Sequence, residues 1–167
     1  VQLCITSSLA PSPFTTTYSS GPITVPFPGP PAPNPQAGAS HTIAVPLPST
    51  AQITRAEVAV NFSHTWAGDV VVVLRAPNNQ ILNLDYFLSN TGGTGATTGF
   101  TNTRFASNST TAISTGSNPY NGVFKADAQT TAGPNGPPGP TGMLPTTALW
   151  SALYTVPGGN WTLGLYD

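Results

Sequence analysis

The stretch Pro22-Ile23-Thr24-Val25-Pro26-Phe27-Pro28-Gly29-Pro30-Pro31-Ala32-Pro33-Asn34-Pro35 admits neither helix nor central strand. Each proline fixes its own φ and lacks the N–H that either hydrogen-bond ladder needs. Such a run is extended, polyproline-like and stiff. Ahead of it, Val1-Gln2-Leu3-Cys4-Ile5-Thr6-Ser7-Ser8 alternates apolar with mostly polar residues. That places Val1, Leu3 and Ile5 on one face, the period of a half-buried strand. Residues 1–40 therefore read as a strand at the tip of a stiff arm, and residues 41–167 as the globular domain.

From His41 onward the chain breaks into short alternating runs between turn-rich loops. His41 to Leu47 places Ile43, Val45 and Leu47 on one side; Gln52 to Phe62 and Val70 to Arg75 follow, then Ile81 to Leu84 after the turn Ala76-Pro77-Asn78-Asn79. Residues 85–118 are rich in Gly, Thr, Ser and Asn, with Phe100, Phe105 and Ile113 as anchors of one or two weak strands. Trp161 to Tyr166 is an alternating strand entered through the turn Pro157-Gly158-Gly159-Asn160. No segment has helical periodicity with caps. The spacing predicts an all-β, jelly-roll-like β-sandwich carrying an extended Pro-rich N-terminal arm. The run Gly133 to Gly142 holds three collagen-like triplets, too few for a triple helix, and reads as a rigid loop.

Only four basic and five acidic residues occur, a net charge of −1 without a basic cluster. Nothing here neutralises a row of phosphates or an anionic bilayer, which argues against nucleic-acid and membrane-surface partners. No apolar run spans a bilayer and no signal-peptide pattern opens the chain, so it reads as a mature secreted product. The sequons at Asn61, Asn108 and Asn160 offer attachment points for glycans outside the cell. Cys4 has no internal partner and is either a small buried hydrophobe or half of an intermolecular bond.

Catalytic chemistry finds little to work with. Two histidines and one cysteine, at no zinc-like spacing, exclude the usual zinc sites. Ser63, His64 and Asp69 suggest a triad, but neighbours on a strand point to opposite faces. There is no nucleophile elbow, phosphate loop or acid pair that suggests glycoside hydrolysis. Trp66, Tyr120, Trp150 and Tyr154 would suit a carbohydrate platform, yet in a small sandwich such aromatics are more often core.

The segment from Asn61 to Leu84, with His64-Thr65-Trp66-Ala67-Gly68-Asp69 before a hydrophobic strand and a Pro-centred turn, pairs with Gly158-Gly159-Asn160-Trp161-Thr162-Leu163-Gly164-Leu165-Tyr166-Asp167. Together they resemble the P domain (P/Homo B) found beside subtilisin-like proprotein convertases and in bacterial secreted proteins, over roughly residues 44 to 167. The resemblance implies a jelly-roll sandwich with no catalytic residues that supports a neighbouring domain. His64, Thr65, Gly68 and Asp69 match its first motif and Trp161, Thr162, Leu163 and Asp167 its second; Val70 replaces the usual Leu. These are expected to be structural: Asp69 anchoring the strand entry, Gly68 taking a positive φ, Trp161 filling the core. Some relatives bind calcium. The only aspartates here are Asp69, Asp85, Asp127 and Asp167, and their sparsity leaves Asp69 and Asp167 as weak candidates and no cofactor as the expectation.

Relatives continue past the closing Asp into a further strand, whereas this sequence stops at Asp167. On that basis the sandwich is one strand short, with an edge that recruits strands. The leader, with Val1, Leu3 and Ile5, supplies the missing piece, and a stiff arm projects it towards another copy. The expectation is a non-catalytic extracellular fibre subunit, assembled head to tail with copies of itself; the alternative is an accessory domain of a larger secreted protease or hydrolase.

Overall fold

A computed structural model of the chain describes residues 2–9, 12–19, 39–64, 67–88, 99–133, 137–140 and 142–166. The Pro-rich arm, Val1, Thr65, Trp66 and Asp167 lie outside the described residues. Among those described, nine strands form two sheets: β1 (Gln2–Leu9), β2 (Ser12–Ser19), β3 (Ala39–Val45), β4 (Gln52–Phe62), β5 (Val71–Arg75), β6 (Ile81–Tyr86), β7 (Phe100–Ala106), β8 (Tyr120–Phe124) and β9 (Gly159–Tyr166). One sheet has the order β2-β1-β4-β7-β8 and the other β3-β9-β5-β6. All pairs are antiparallel except β7 with β8. The one α-helix, α1 (Trp150–Leu153), is a single turn. The molecule is an all-β sandwich.

The inner faces of the two sheets meet in one apolar cluster. Leu3, Ile5, Val58, Phe100 and Phe105 come from the first sheet, and Val72, Leu74, Leu82, Trp161 and Leu163 from the second. Alternation accounts for β4, where Val58 and Val60 point in and Asn61 points out. It does not account for four valines in a row. Val70 and Val72 belong to the inner cluster, while Val71 and Val73 join Ile81, Met143 and Tyr166 in a second cluster on the outer face. The chain around Met143 roofs that face, so β5 is apolar on both sides because both sides are covered.

The arm carries more than the lone strand expected at its tip. Thr15, Thr16 and Thr17 of β2 run opposite Thr6, Ile5 and Cys4, folding residues 2–19 into a hairpin. β-Branched threonines suit such an edge strand, which also tolerates Pro13. The sandwich was expected to be one strand short, but β1 of the same chain pairs with β4 and completes that sheet.

The positive φ expected at Gly68 is found at another glycine instead. Gly68 sits in a single 3-10 turn, Ala67–Asp69, and is not among the glycines with positive φ, because a tight helical turn rather than a left-handed one leads into β5. At the entry to β9, Gly159 has φ +126°, and a Cβ on Gly158 would overlap the Leu47 carbonyl oxygen. That turn requires glycine at both positions.

Candidate functional site

The feature that sets this sandwich apart is the seam between the N-terminal hairpin and β4. Leu3 faces Val58 and Ile5 faces Ala56 across it, with Gln2 opposite Ala59, Cys4 opposite Glu57 and Thr6 opposite Arg55. The register then shifts between Thr6 and Ser7. Leu3 is 2 % exposed and Ile5 0 %, so the alternating leader places its apolar side in the inter-sheet core. Full burial of two such side chains supplies roughly 3–6 kcal/mol of gross transfer energy.

The outward side of the seam is polar and contributes less. Thr17 Oγ1 donates to Cys4 Sγ at 3.9 Å. Arg55 and Arg104 reach Glu57 at 3.0 and 3.5 Å, but both guanidinium groups are about half exposed. Ion pairs of that kind are worth less than about 1 kcal/mol each. Apolar burial and the backbone ladder hold the hairpin in place.

Six of the eight motif residues are among the described residues. Trp161, 1 % exposed, fills the core, and its Nε1–H donates to the Pro157 carbonyl at 3.3 Å. Leu163 packs in the same cluster. Thr162 is buried on the other face of β9, its Oγ1 3.0 Å from Thr42 Oγ1 and within 3.5 Å of the Arg75 guanidinium. His64 and Asp69 are half-buried and engaged with neighbours, while Gly68 lies in the 3-10 turn. Asn61, Asn108 and Asn160 are all exposed. Of the aromatics weighed as a sugar platform, Tyr120 is a core residue, and Trp150 and Tyr154 pack against the core.

One constellation had no signal in the sequence. Asp85 and Asp127, from β6 and the segment after β8, come together in the interior. A register shift in the β5–β6 pairing sets Asp85 opposite Val72, an inner-cluster residue, so Asp85 turns inward instead of alternating outward. It is 0 % exposed, and neither carboxylate oxygen has a hydrogen-bond partner. Burial pushes its carboxyl well above the usual carboxylate range, and the neighbouring charge of Asp127 adds to the rise. Asp127 is also raised by burial, partly offset by the Tyr86 N–H, which donates to its Oδ2 at 3.0 Å. No substrate reaches a carboxyl sealed in this way. Calcium takes six to eight oxygen ligands, and among the described residues no three His, Cys, Asp or Glu side chains gather.

Comparison with known proteins places part of this framework. The family model of the proprotein convertase P-domain matches residues 53–131, from β4 through the segment after β8. That family is a non-catalytic companion domain of proprotein convertases. The matched stretch contains the His64 to Asp69 motif; the hairpin and β9 lie outside it. No curated protein and no solved structure matches the chain. Among the described residues no helix is long and apolar enough to cross a membrane.

Proposed function

Taking the P-domain match of residues 53–131 as premise, we propose that the chain is a non-catalytic extracellular structural subunit that assembles head to tail, its N-terminal hairpin entering the seam beside β4 of a neighbouring copy. One observation carries this reading. The hairpin of residues 2–19 contributes Leu3 and Ile5 to the core, yet it joins the rest of the fold through residues 20–38, which include seven prolines. The same contacts form whether the hairpin comes from the chain's own arm or from another copy, which is the condition for exchange of an identical element.

The linker tips that balance. A polyproline helix of nineteen residues would span about 60 Å, whereas a domain of this size is only about 40 Å across. A segment of that length bridges to a neighbouring copy without turning back on itself. Because donor and acceptor are different surfaces, each added copy offers a fresh seam, and the contact propagates instead of closing. A charge-poor, Ser- and Thr-rich surface suits such an extracellular polymer.

The P-domain match favours a second reading, in which the hairpin stays at home and the sandwich accompanies a larger secreted protease or hydrolase. Light scattering and electron microscopy of the full chain separate the two. The fibre reading expects particles far heavier than the 17.1 kDa chain, shortened by an excess of free peptide 1–19 acting as a terminator. Particles of one-chain mass at every concentration would leave the companion-domain reading.

A further inference from the structure

We infer that Asn108 is an N-glycan attachment site usable on the folded domain, and that its sugar stands at the β8 edge of the sandwich. All three sequon asparagines are exposed, but the residues that follow them differ. A transferase must hold the hydroxyl of the third residue as well as the asparagine amide, so accessibility has to extend along the tripeptide.

At Asn160 it does not. Trp161 is in the core and Thr162 is buried, its hydroxyl 3.0 Å from Thr42 Oγ1, within a strand paired on both sides by β3 and β5. Asn61 is tied through its neighbour, since the Phe62 ring stacks on Phe100 with centroids 4.6 Å apart. Asn108 and Thr110 are both exposed, in the turn that leaves β7. Neighbouring bonds fix that turn's position: the Ser107 N–H donates to Ala56 O at 3.0 Å, and the Ser109 N–H donates to Ala106 O at 3.1 Å.

The turn also faces a sheet edge. Ser109 Oγ donates to Val123 O at 3.0 Å, and the Lys125 N–H donates to Thr111 O at 2.8 Å, so residues 109–111 lie along β8, the outer strand of its sheet. A glycan rooted one residue away screens the edge that would otherwise invite unplanned strand pairing. β7 separates this edge from β4, so the glycan leaves the seam between β1 and β4 unobstructed. The transfer takes a lipid-pyrophosphate-linked oligosaccharide as co-reactant. The Asn108 Nδ2–C1 bond forms, the C1–O bond to the pyrophosphate breaks, Nδ2 gives up one proton, and the lipid pyrophosphate leaves.

The test incubates folded, unglycosylated full-length protein with an oligosaccharyltransferase that reads Asn-X-Ser/Thr and its lipid-linked donor, then maps occupancy by mass spectrometry. Occupancy at Asn108 should exceed that at Asn160 at least tenfold, and heat-unfolded protein should gain modification at Asn160. The added mass should fall in N108Q by the glycan found at that site. An unmodified Asn108, or equal occupancy at Asn108 and Asn160 on folded protein, overturns the inference. Since occupancy is read on each chain, the result is independent of whether the chains polymerise.

Discussion

Ile5→Ala should lower the stability of the hairpin–sandwich contact by about 2–5 kcal/mol, the range for deleting a large aliphatic side chain from a close-packed core. Ile5 is fully buried opposite Ala56, in the cluster that joins the two sheets. The small partner leaves little with which to refill the space. Within one chain the loss appears as a lower urea midpoint, a large fraction of the 5–15 kcal/mol that holds a typical domain. If the hairpin is shared between copies, the same loss falls on the assembly, weakening it by roughly 30-fold to a few thousand-fold at 1.4 kcal/mol per tenfold. Thr6→Ala, on the opposite face of β1, provides the control: it should stay within about 0.5 kcal/mol of wild type, as surface substitutions do. Equal effects from the two substitutions would mean that the apolar face of β1 does not hold the seam.

Asp85→Asn should stabilise the domain at neutral pH by roughly 1 kcal/mol or more, because the amide has no charge to bury beside Asp127 and needs no proton to stay neutral. It should also flatten the dependence of stability on pH. The folded-state carboxyl of Asp85 is raised above 3.8 by burial and by Asp127. A raised carboxyl contributes stability that is fully present below 3.8 and is lost as pH climbs through the folded value. Asp127, also raised by burial, acts in the same direction. The groups around the pair do not reverse this. Lys125 acts on Asp127, and the Tyr120 phenol, raised first by its own burial, is raised further by Asp85. Arg55 and Arg104 pair with Glu57 through guanidinium groups that are about half exposed, so acid removes little there. The wild-type domain should therefore gain stability from neutral pH towards pH 4, the reverse of ordinary acid denaturation. Urea midpoints measured across that range check it; a wild type that weakens on acidification, or an Asp85→Asn variant with the same slope, contradicts it.

Where a strand has one buried face, the sequence announces it. Gln52 to Phe62 is a strand over the limits that its alternation suggests, and Phe100, Phe105 and Ile113, picked out as anchors in a weak region, are all fully buried. Leu3 and Ile5 mark an inward face for the same reason. That β4 is the neighbour they meet was not legible, because sheet partners some fifty residues apart leave no local trace. β8 was missed because Gly122 interrupts its pattern and its partner β7 runs parallel, with no hairpin turn to announce the pair. β2 was hidden by Pro13 and a run of threonines, which read as the start of the arm. The inward turn of Asp85 depends on a single register shift, and simple alternation places that residue outside.

Whether the hairpin enters its own seam or a neighbour's is decided by one covalent trap. Cys4 is the single cysteine and stands opposite Glu57, at a cross-strand spacing of about 5 Å that suits a disulfide. In Glu57→Cys, mild oxidation followed by a non-reducing denaturing gel should give a ladder of chain multiples that collapses to one band with reductant. A single oxidised band of one-chain mass, its Cys4 bonded to its own Cys at 57, would contradict exchange between copies.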